Sequence, residues 1–176
     1  MSAKNSSDAE VRKFFFSDDG RIPNSPLPLL FYPKALSGRE LEPARCKKLL
    51  AGNDWPGAWV NGVFPFHHYH STSHEVLAVV SGSADITFGG ENGETVEVEA
   101  GDAVVIPAGV GHRNRGSSPD FRVIGAYPEG RSCDLLTGEP GERPEALDNI
   151  GNVPLPKTDP LFGPDGPLRK AWKTRA

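Results

Sequence analysis

Cysteine is scarce in this chain: Cys46 and Cys133 are the only two among 176 residues, and no C-x-x-C pair is formed. A disulfide framework and a zinc ribbon are thereby excluded, and two reduced thiols suit a reducing, cytoplasmic compartment. Excess positive charge is lacking as well. The 19 lysines and arginines are outnumbered by 23 acids, for a formal net charge of -4. Nucleic acid is therefore not expected as a partner, because counterion release needs a basic patch. No apolar run approaches the roughly 20 residues of a membrane span, and the opening MSAKNSSDAEVRKFF has no apolar signal core. The sequence reads as soluble, unexported and cytoplasmic, with no membrane partner. G-x-S-x-G, P-loop and G-x-G-x-x-G patterns are missing, so acyl transfer, phosphoryl transfer and dinucleotide chemistry have no local support. A chain of this length is expected to form one core.

What is present divides into three stretches. Residues 1–25 mix charge, serine and glycine around the apolar cluster Phe14, Phe15 and Phe16, and read as a loosely attached arm. Residues 27–32, bracketed by Pro26 and Pro33, read as a short edge strand, since proline donates nothing to a ladder. PARCKKLLA at 43–51 predicts a short helix, with proline at its start and Gly52 past its end. From 63 to 127, short β-branched and aromatic segments alternate with turn signals such as SGS, GGENGE and PAGVG. Strands are predicted over 63–70, 75–81, 84–88, 95–99, 103–106 and 121–126. Nothing between them has room for a crossover helix, which points to an all-β barrel or double sheet spanning 26–136. Residues 137–176 form a proline-rich extension, with seven prolines from Pro140 to Pro167. Its scattered apolar residues imply an arm packed on the barrel or on a partner, ending in a helical turn or two from Pro167.

All five histidines, His67, His68, His70, His74 and His112, fall inside the strand-rich region. Residues two apart share one face of a strand, so His68 and His70 can aim both imidazoles at one point. Glu75 follows the connector STSH at the head of the next apolar strand, and antiparallel pairing would bring its carboxylate beside them. A further ligand must come from a distant segment, and His112, just after the PAGVG turn, is the histidine left. Three neutral imidazoles and one carboxylate suit one divalent transition metal, whether Fe, Mn, Ni, Co, Zn or Cu, rather than calcium or magnesium. Four protein ligands around a six-coordinate ion leave open positions for substrate, water or oxygen.

Parity turns His67 and Tyr69 away from that point, and His74 is expected as a hydrogen-bonding or pocket-lining neighbour. Phe64, Phe66, Leu77 and Val79 share the ligands' parity and would line an apolar cup. Arg113, Arg115, Arg122 and Arg131 are candidates for a carboxylate-binding fork, weighed against ordinary surface charge.

These residues resemble the two motifs of the cupin superfamily. Residues 62–82 read G-x5-H-x-H-x4-E-x6-G, carried by Gly62, His68, His70, Glu75 and Gly82. Residues 101–112 read G-x5-P-x-G-x2-H, carried by Gly101, Pro107, Gly109 and His112. Beyond His112 the family pattern expects asparagine where this chain has Gly116, with Asn114 standing two residues early; the position belongs to a turn and not to a ligand. The run WPGAWVNGVFPFHHYHSTSHEVL, with FGG and GAYPEG downstream, is similar more narrowly to the YjlB-like branch of cupins. The resemblance covers about residues 53–134 and implies a double-stranded β-helix, or jelly-roll barrel, frequent homodimers and no settled substrate.

The leading expectation is a metal-dependent enzyme acting on a small oxygen-bearing molecule. Oxygenase-type chemistry stands ahead of sugar isomerase or epimerase chemistry, because no acid/base pair is evident besides the ligands. The competing expectation is a non-catalytic module that binds or senses a small molecule in the same cup. A DNA-reading regulator is disfavoured, since neither flank carries a basic helix-turn-helix, and a seed-storage role would want two barrels. A homodimer is expected, because the leading strand and the proline-rich tail carry apolar residues that need covering.

Overall fold

The computed structural model describes residues 10–173, so the first part of the expected 1–25 arm and the end of the tail lie outside the described residues. The strands are β1 (Arg12–Phe16), β2 (Ser25–Tyr32), β3 (Trp59–Asn61), β4 (Glu75–Ser81), β5 (Ser83–Phe88), β6 (Glu94–Glu99), β7 (Ala103–Ile106), β8 (His112–Ser117) and β9 (Arg122–Ala126). A six-stranded sheet runs β1-β2-β7-β4-β9-β3 and a three-stranded sheet runs β6-β5-β8, with every pairing antiparallel. The helices are α1 (Pro43–Gly52), α2 (Glu145–Asn152) and α3 (Pro167–Ala171). This is the all-β jelly-roll barrel that the two motifs imply.

The central strands read as nearly unbroken apolar runs, LLFY in β2, VLAVV in β4 and AVVI in β7, as strands covered on both faces must. Alternation then sorts the faces. Leu29, Phe31, Leu77, Val79, Val104 and Ile106 point between the sheets, where they meet Ile86, Phe88 and Val98 of the smaller sheet. Leu30, Tyr32, Val76, Ala78, Ala103 and Val105 point the other way, under Cys46 and Leu50 of α1 and under Leu161, Leu168 and Trp172 of the tail. Proline at the first position of α1 fits because its missing N–H is one the helix could not use.

The tail is tied down by one buried carboxylate. Asp159 accepts hydrogen bonds from the Tyr32 hydroxyl at 2.7 Å, the Leu161 N–H at 2.8 Å and the Leu168 N–H at 3.0 Å. The proline-rich extension therefore lies on its own barrel, where Leu161 and Leu168 are covered without a second chain while Leu147 of α2 stays exposed.

Several elements differ from the sequence reading. Residues 12–16 are a strand and not part of a loose arm, because Phe14 and Phe16 pack against the inter-sheet core. β1 thus occupies the edge, and β2 lies inside it, against the expectation of an edge strand at 27–32. The β1–β2 register slips between Phe14 and Phe16, opposite Pro26 and Pro28, which have no N–H to give. Residues 63–70 make no regular strand; they contribute isolated bridges, His68 to His112 and Tyr69 to Leu136. β8 escaped the prediction because HRNRGS holds no apolar residue to alternate. Within it, the Gly116 departure falls at a bulge and not at a turn: the register with β5 slips between Asp85 and Ile86, and Asn114 Oδ1 accepts the Gly116 N–H at 2.9 Å. α2 is hidden in the sequence between Pro144 and Pro154, and of its residues only Ala146 is buried. No helix among the described residues is long and apolar enough to cross a membrane.

Candidate metal centre

Three pieces of chain converge on one point. His68 and His70 come from the irregular 63–70 crossing, Glu75 opens β4 and His112 opens β8. His68 and His112 face each other across a bridge, His68 N–H to His112 O at 3.2 Å and His112 N–H to His68 O at 2.9 Å. Their ring centroids are 4.0 Å apart, and His70 lies 5.5 Å from His112. Glu75 Oε1 stands 3.3 Å from His112 Nε2 and 3.5 Å from His70 Nε2. All four side chains are buried. One nitrogen from each of the three imidazoles lies within 4.8 Å of the others, a group that could hold a metal ion. Imidazole nitrogens bind zinc at about 2.0–2.1 Å, so ligands sharing an ion stand at most about 4.2 Å apart, a small closing from this spacing.

The other ring nitrogens are fastened. His68 Nδ1–H donates to the Phe66 carbonyl at 2.9 Å, His70 Nδ1–H to the Asp134 carbonyl at 2.5 Å and His112 Nδ1–H to the Val110 carbonyl at 3.3 Å. A carbonyl can only accept, so each contact puts the proton on Nδ1 and leaves Nε2 as the nitrogen able to ligate. Backbone carbonyls rather than side chains thus set the tautomers.

Burial, helped by neighbouring His112, holds His68 down at about 3, so it is neutral at ordinary pH. Burial works against a charge on His70 too, but Cys133 and the Glu75 carboxylate outweigh it and push His70 up to about 11. Burial opposes the charge on Glu75, yet His112 and His70 hold its carboxyl well below the usual range. Without a metal, therefore, Glu75 is an anion facing a protonated His70.

The four residues sit in a cavity of about 390 Å³. Of the expected lining residues, Phe64 and Leu77 are there. Phe66 stacks on Phe64 with centroids 5.0 Å apart but lines a neighbouring hollow with His67, because strand alternation does not hold in an irregular segment. Val79 lies deeper, in the inter-sheet core. His74 turns away altogether: its Nδ1 accepts the Ala108 N–H at 2.9 Å, its ring packs on Trp172, and burial holds it down at about 4. His67 pairs with Glu91 at 2.8 Å. Arg113 and Arg115 also approach Glu91, and none of the four candidate arginines lines the cavity.

Trp59, Tyr127, Cys133 and Asp134 line the cavity without having been signalled by any spacing. Tyr127 accepts a hydrogen bond from Trp59 Nε1–H at 3.2 Å, and burial, with Glu75 next in size, raises its hydroxyl well above the usual phenol value. The only hint lay in the runs WPGAW and GAYPEG, which carry no chemistry by themselves.

Residues 56–124 match the family described as "Cupin domain". Over 164 residues the chain is 48% identical to the "Uncharacterized protein YjlB" of Bacillus subtilis (strain 168), covering 93% of this chain and 97% of that protein. Among solved structures it is similar to the WlaRB TDP-quinovose 3,4-ketoisomerase of Campylobacter jejuni, with 18% identity and a TM-score of 0.41 over 52% of this chain and 74% of the other. It is also similar to a DUF861 family protein of Thermotoga maritima, with 18% identity and a TM-score of 0.34 over 67% of this chain and 97% of the other.

Proposed function

Since the chain belongs to the cupin superfamily, as a YjlB-like member, we propose that His68, His70, Glu75 and His112 bind one divalent transition metal and that this centre serves a small-molecule enzyme. One observation carries the reading: three buried imidazoles, each fastened at Nδ1 to a backbone carbonyl, with a buried carboxylate within 3.5 Å of Nε2 of two of them. Fe, Mn, Ni, Co, Zn or Cu bound there would supply Lewis acidity and, for a redox-active ion, oxygen chemistry. The chain's own groups do the rest. The backbone carbonyls orient the imidazoles, Glu75 contributes a fixed negative charge, the apolar walls limit water, and Tyr127 presents a phenol that keeps its proton.

Oxygenase-type chemistry is the first reading, because no complete acid/base pair stands beside the ligands among the described residues. Tyr127 favours a second, isomerase or epimerase chemistry, since a phenol in the wall that stays protonated can donate a hydrogen bond to a substrate oxygen. Metal analysis of protein grown without supplementation, followed by oxygen-uptake and isomerisation assays on small-molecule panels, tests both. Oxygen uptake lost in His68→Gln and kept in Tyr127→Phe supports the first; isomerisation lost in both supports the second. Ligand-dependent thermal stabilisation with no product would leave a binding or sensing module.

A cytoplasmic homodimer belongs to the same proposal. Among the described residues β1 is an open sheet edge, and Phe15 on it is 68% exposed. Sedimentation showing only monomer at micromolar concentration would overturn it.

A further inference from the structure

The cavity walls are more selective than the metal centre alone. Trp59, Val63, Phe64, Leu77 and Leu135 give the cavity an apolar surface, with the Phe64 ring edge-on to His68 at 5.2 Å. Among the described residues, no lysine or arginine lines it. The lining acids are Glu75, which faces the histidines, and Asp134, whose carboxylate is consumed by the Ser71 backbone N–H and hydroxyl. Polar groups left for a ligand's body are few: the Tyr127 hydroxyl and the Asn61 amide at the exposed mouth, with the Cys133 thiol engaged by His70 and Tyr127.

Charge sets a further limit. A divalent ion with Glu75 as its one anionic ligand leaves a single positive charge, and the walls add no cation to it. One anionic head can be neutralised there; a second anionic group would be desolvated against leucine, valine and aromatic rings without a partner. We propose that the cavity selects monoanionic small molecules with an oxygen-bearing head and an aromatic or branched apolar body, and rejects polyanions such as dicarboxylates and phosphorylated or nucleotide-linked sugars. This rests on the metal-centre reading for the head group, and on the walls alone for the body. The volume, about 390 Å³, lies at the small end of the roughly 300–1,000 Å³ usual for ligand pockets, which fits a compact substrate.

Three probes with one head group separate the terms. Mandelate, lactate and malate share a 2-hydroxycarboxylate and differ in carrying a phenyl ring, a methyl group or a second carboxylate. Calorimetric titration of nickel-loaded protein is expected to rank mandelate about tenfold or more above lactate, from the buried ring, and malate below lactate. Phe64→Ala should erase much of the mandelate advantage. Leu135→Arg, at a position 47% exposed and so harmless to folding, should lift malate above lactate. Nickel content should be unchanged in both variants. Malate equal to or tighter than mandelate in the parent protein overturns the assignment, as does a Leu135→Arg variant blind to malate. If the protein retains no metal, the metal-centre reading fails separately. The same ranking is then read on metal-free protein by saturation-transfer NMR, where a lead for mandelate upholds the wall assignment and indifference among the three overturns it.

Discussion

The Asp134 backbone carbonyl accepts the His70 Nδ1–H at 2.5 Å, and the Asp134 side chain fixes where that carbonyl stands. Its carboxylate takes the Ser71 N–H at 2.6 Å and the Ser71 hydroxyl, while its own N–H donates to Thr72 Oγ1 at 3.0 Å. Asn149 of α2 adds a bond to Ser71 Oγ at 3.2 Å. The segment after β9 is thus clamped to the turn following His70, and α2 in the proline-rich tail braces the clamp.

Asp134→Ala keeps the carbonyl but removes the clamp, so His70 loses its fixed orientation. Loss of such an outer partner typically costs about 10–100-fold in metal affinity. Competition against a chelator should show a fall of that size, with Asp134→Asn in between because its amide oxygen can still accept from Ser71. Unchanged affinity in Asp134→Ala would mean the carbonyl is held by other contacts.

That clamp also shows where reading the sequence stops. His68, His70, Glu75 and His112 are legible because ligand-type residues at fixed spacing are rare, and the two motif ends meet wherever the barrel closes. Asp134 and Ser71 are 63 positions apart, and nothing local marks them as partners. The apolar runs of β2, β4 and β7 announce buried strands, whereas the all-polar β8 does not. Phe66 is misplaced by parity because alternation presumes a regular strand, and residues 63–74 hold none.

Acid should destabilise the metal-free protein. His74 ionises near 6.5 when unfolded and is held down at about 4 when folded, so its contribution to stability is full above pH 6.5. Between about 6.5 and 4 the unfolded chain binds a proton that the folded chain refuses, and stability falls as pH falls. Two and a half units correspond to about 3 kcal/mol for this group, with His68 acting in the same direction. Urea unfolding at pH 7 and pH 4.5 measures the slope. His74→Asn, whose amide oxygen can replace Nδ1 as acceptor for Ala108, should flatten it; an unaltered slope would remove His74 from the account.

Gly125 in β9 lies directly opposite Trp59 in β3. A Cβ there would stand 2.1 Å from the indole ring, so the ring must move. Gly125→Ala should cost about 1–3 kcal/mol, the usual range for overpacking. It should also separate Trp59 Nε1–H from Tyr127 and open the cavity wall. A lower denaturant midpoint together with altered tryptophan fluorescence is the expected result; an unchanged midpoint would mean the wall yields without cost.

Metal binding should release a proton. In the metal-free protein His70 is held protonated up to about 11, while the ion needs its Nε2 lone pair. From pH 6.5 to 8 the folded protein therefore exchanges the His70 proton for the metal, and affinity should rise about tenfold per pH unit for one proton released. Glu75 is already ionised throughout this range and adds no slope, because its carboxyl is held below the usual value. Calorimetry in two buffers of different ionisation enthalpy counts the proton directly. Glu75→Gln removes the carboxylate that stabilises the His70 imidazolium, so the variant should bind metal more weakly in absolute terms and with a smaller proton count near pH 8. Equal proton counts in parent and variant would show that the pair does not share its proton in the way the 3.5 Å contact implies.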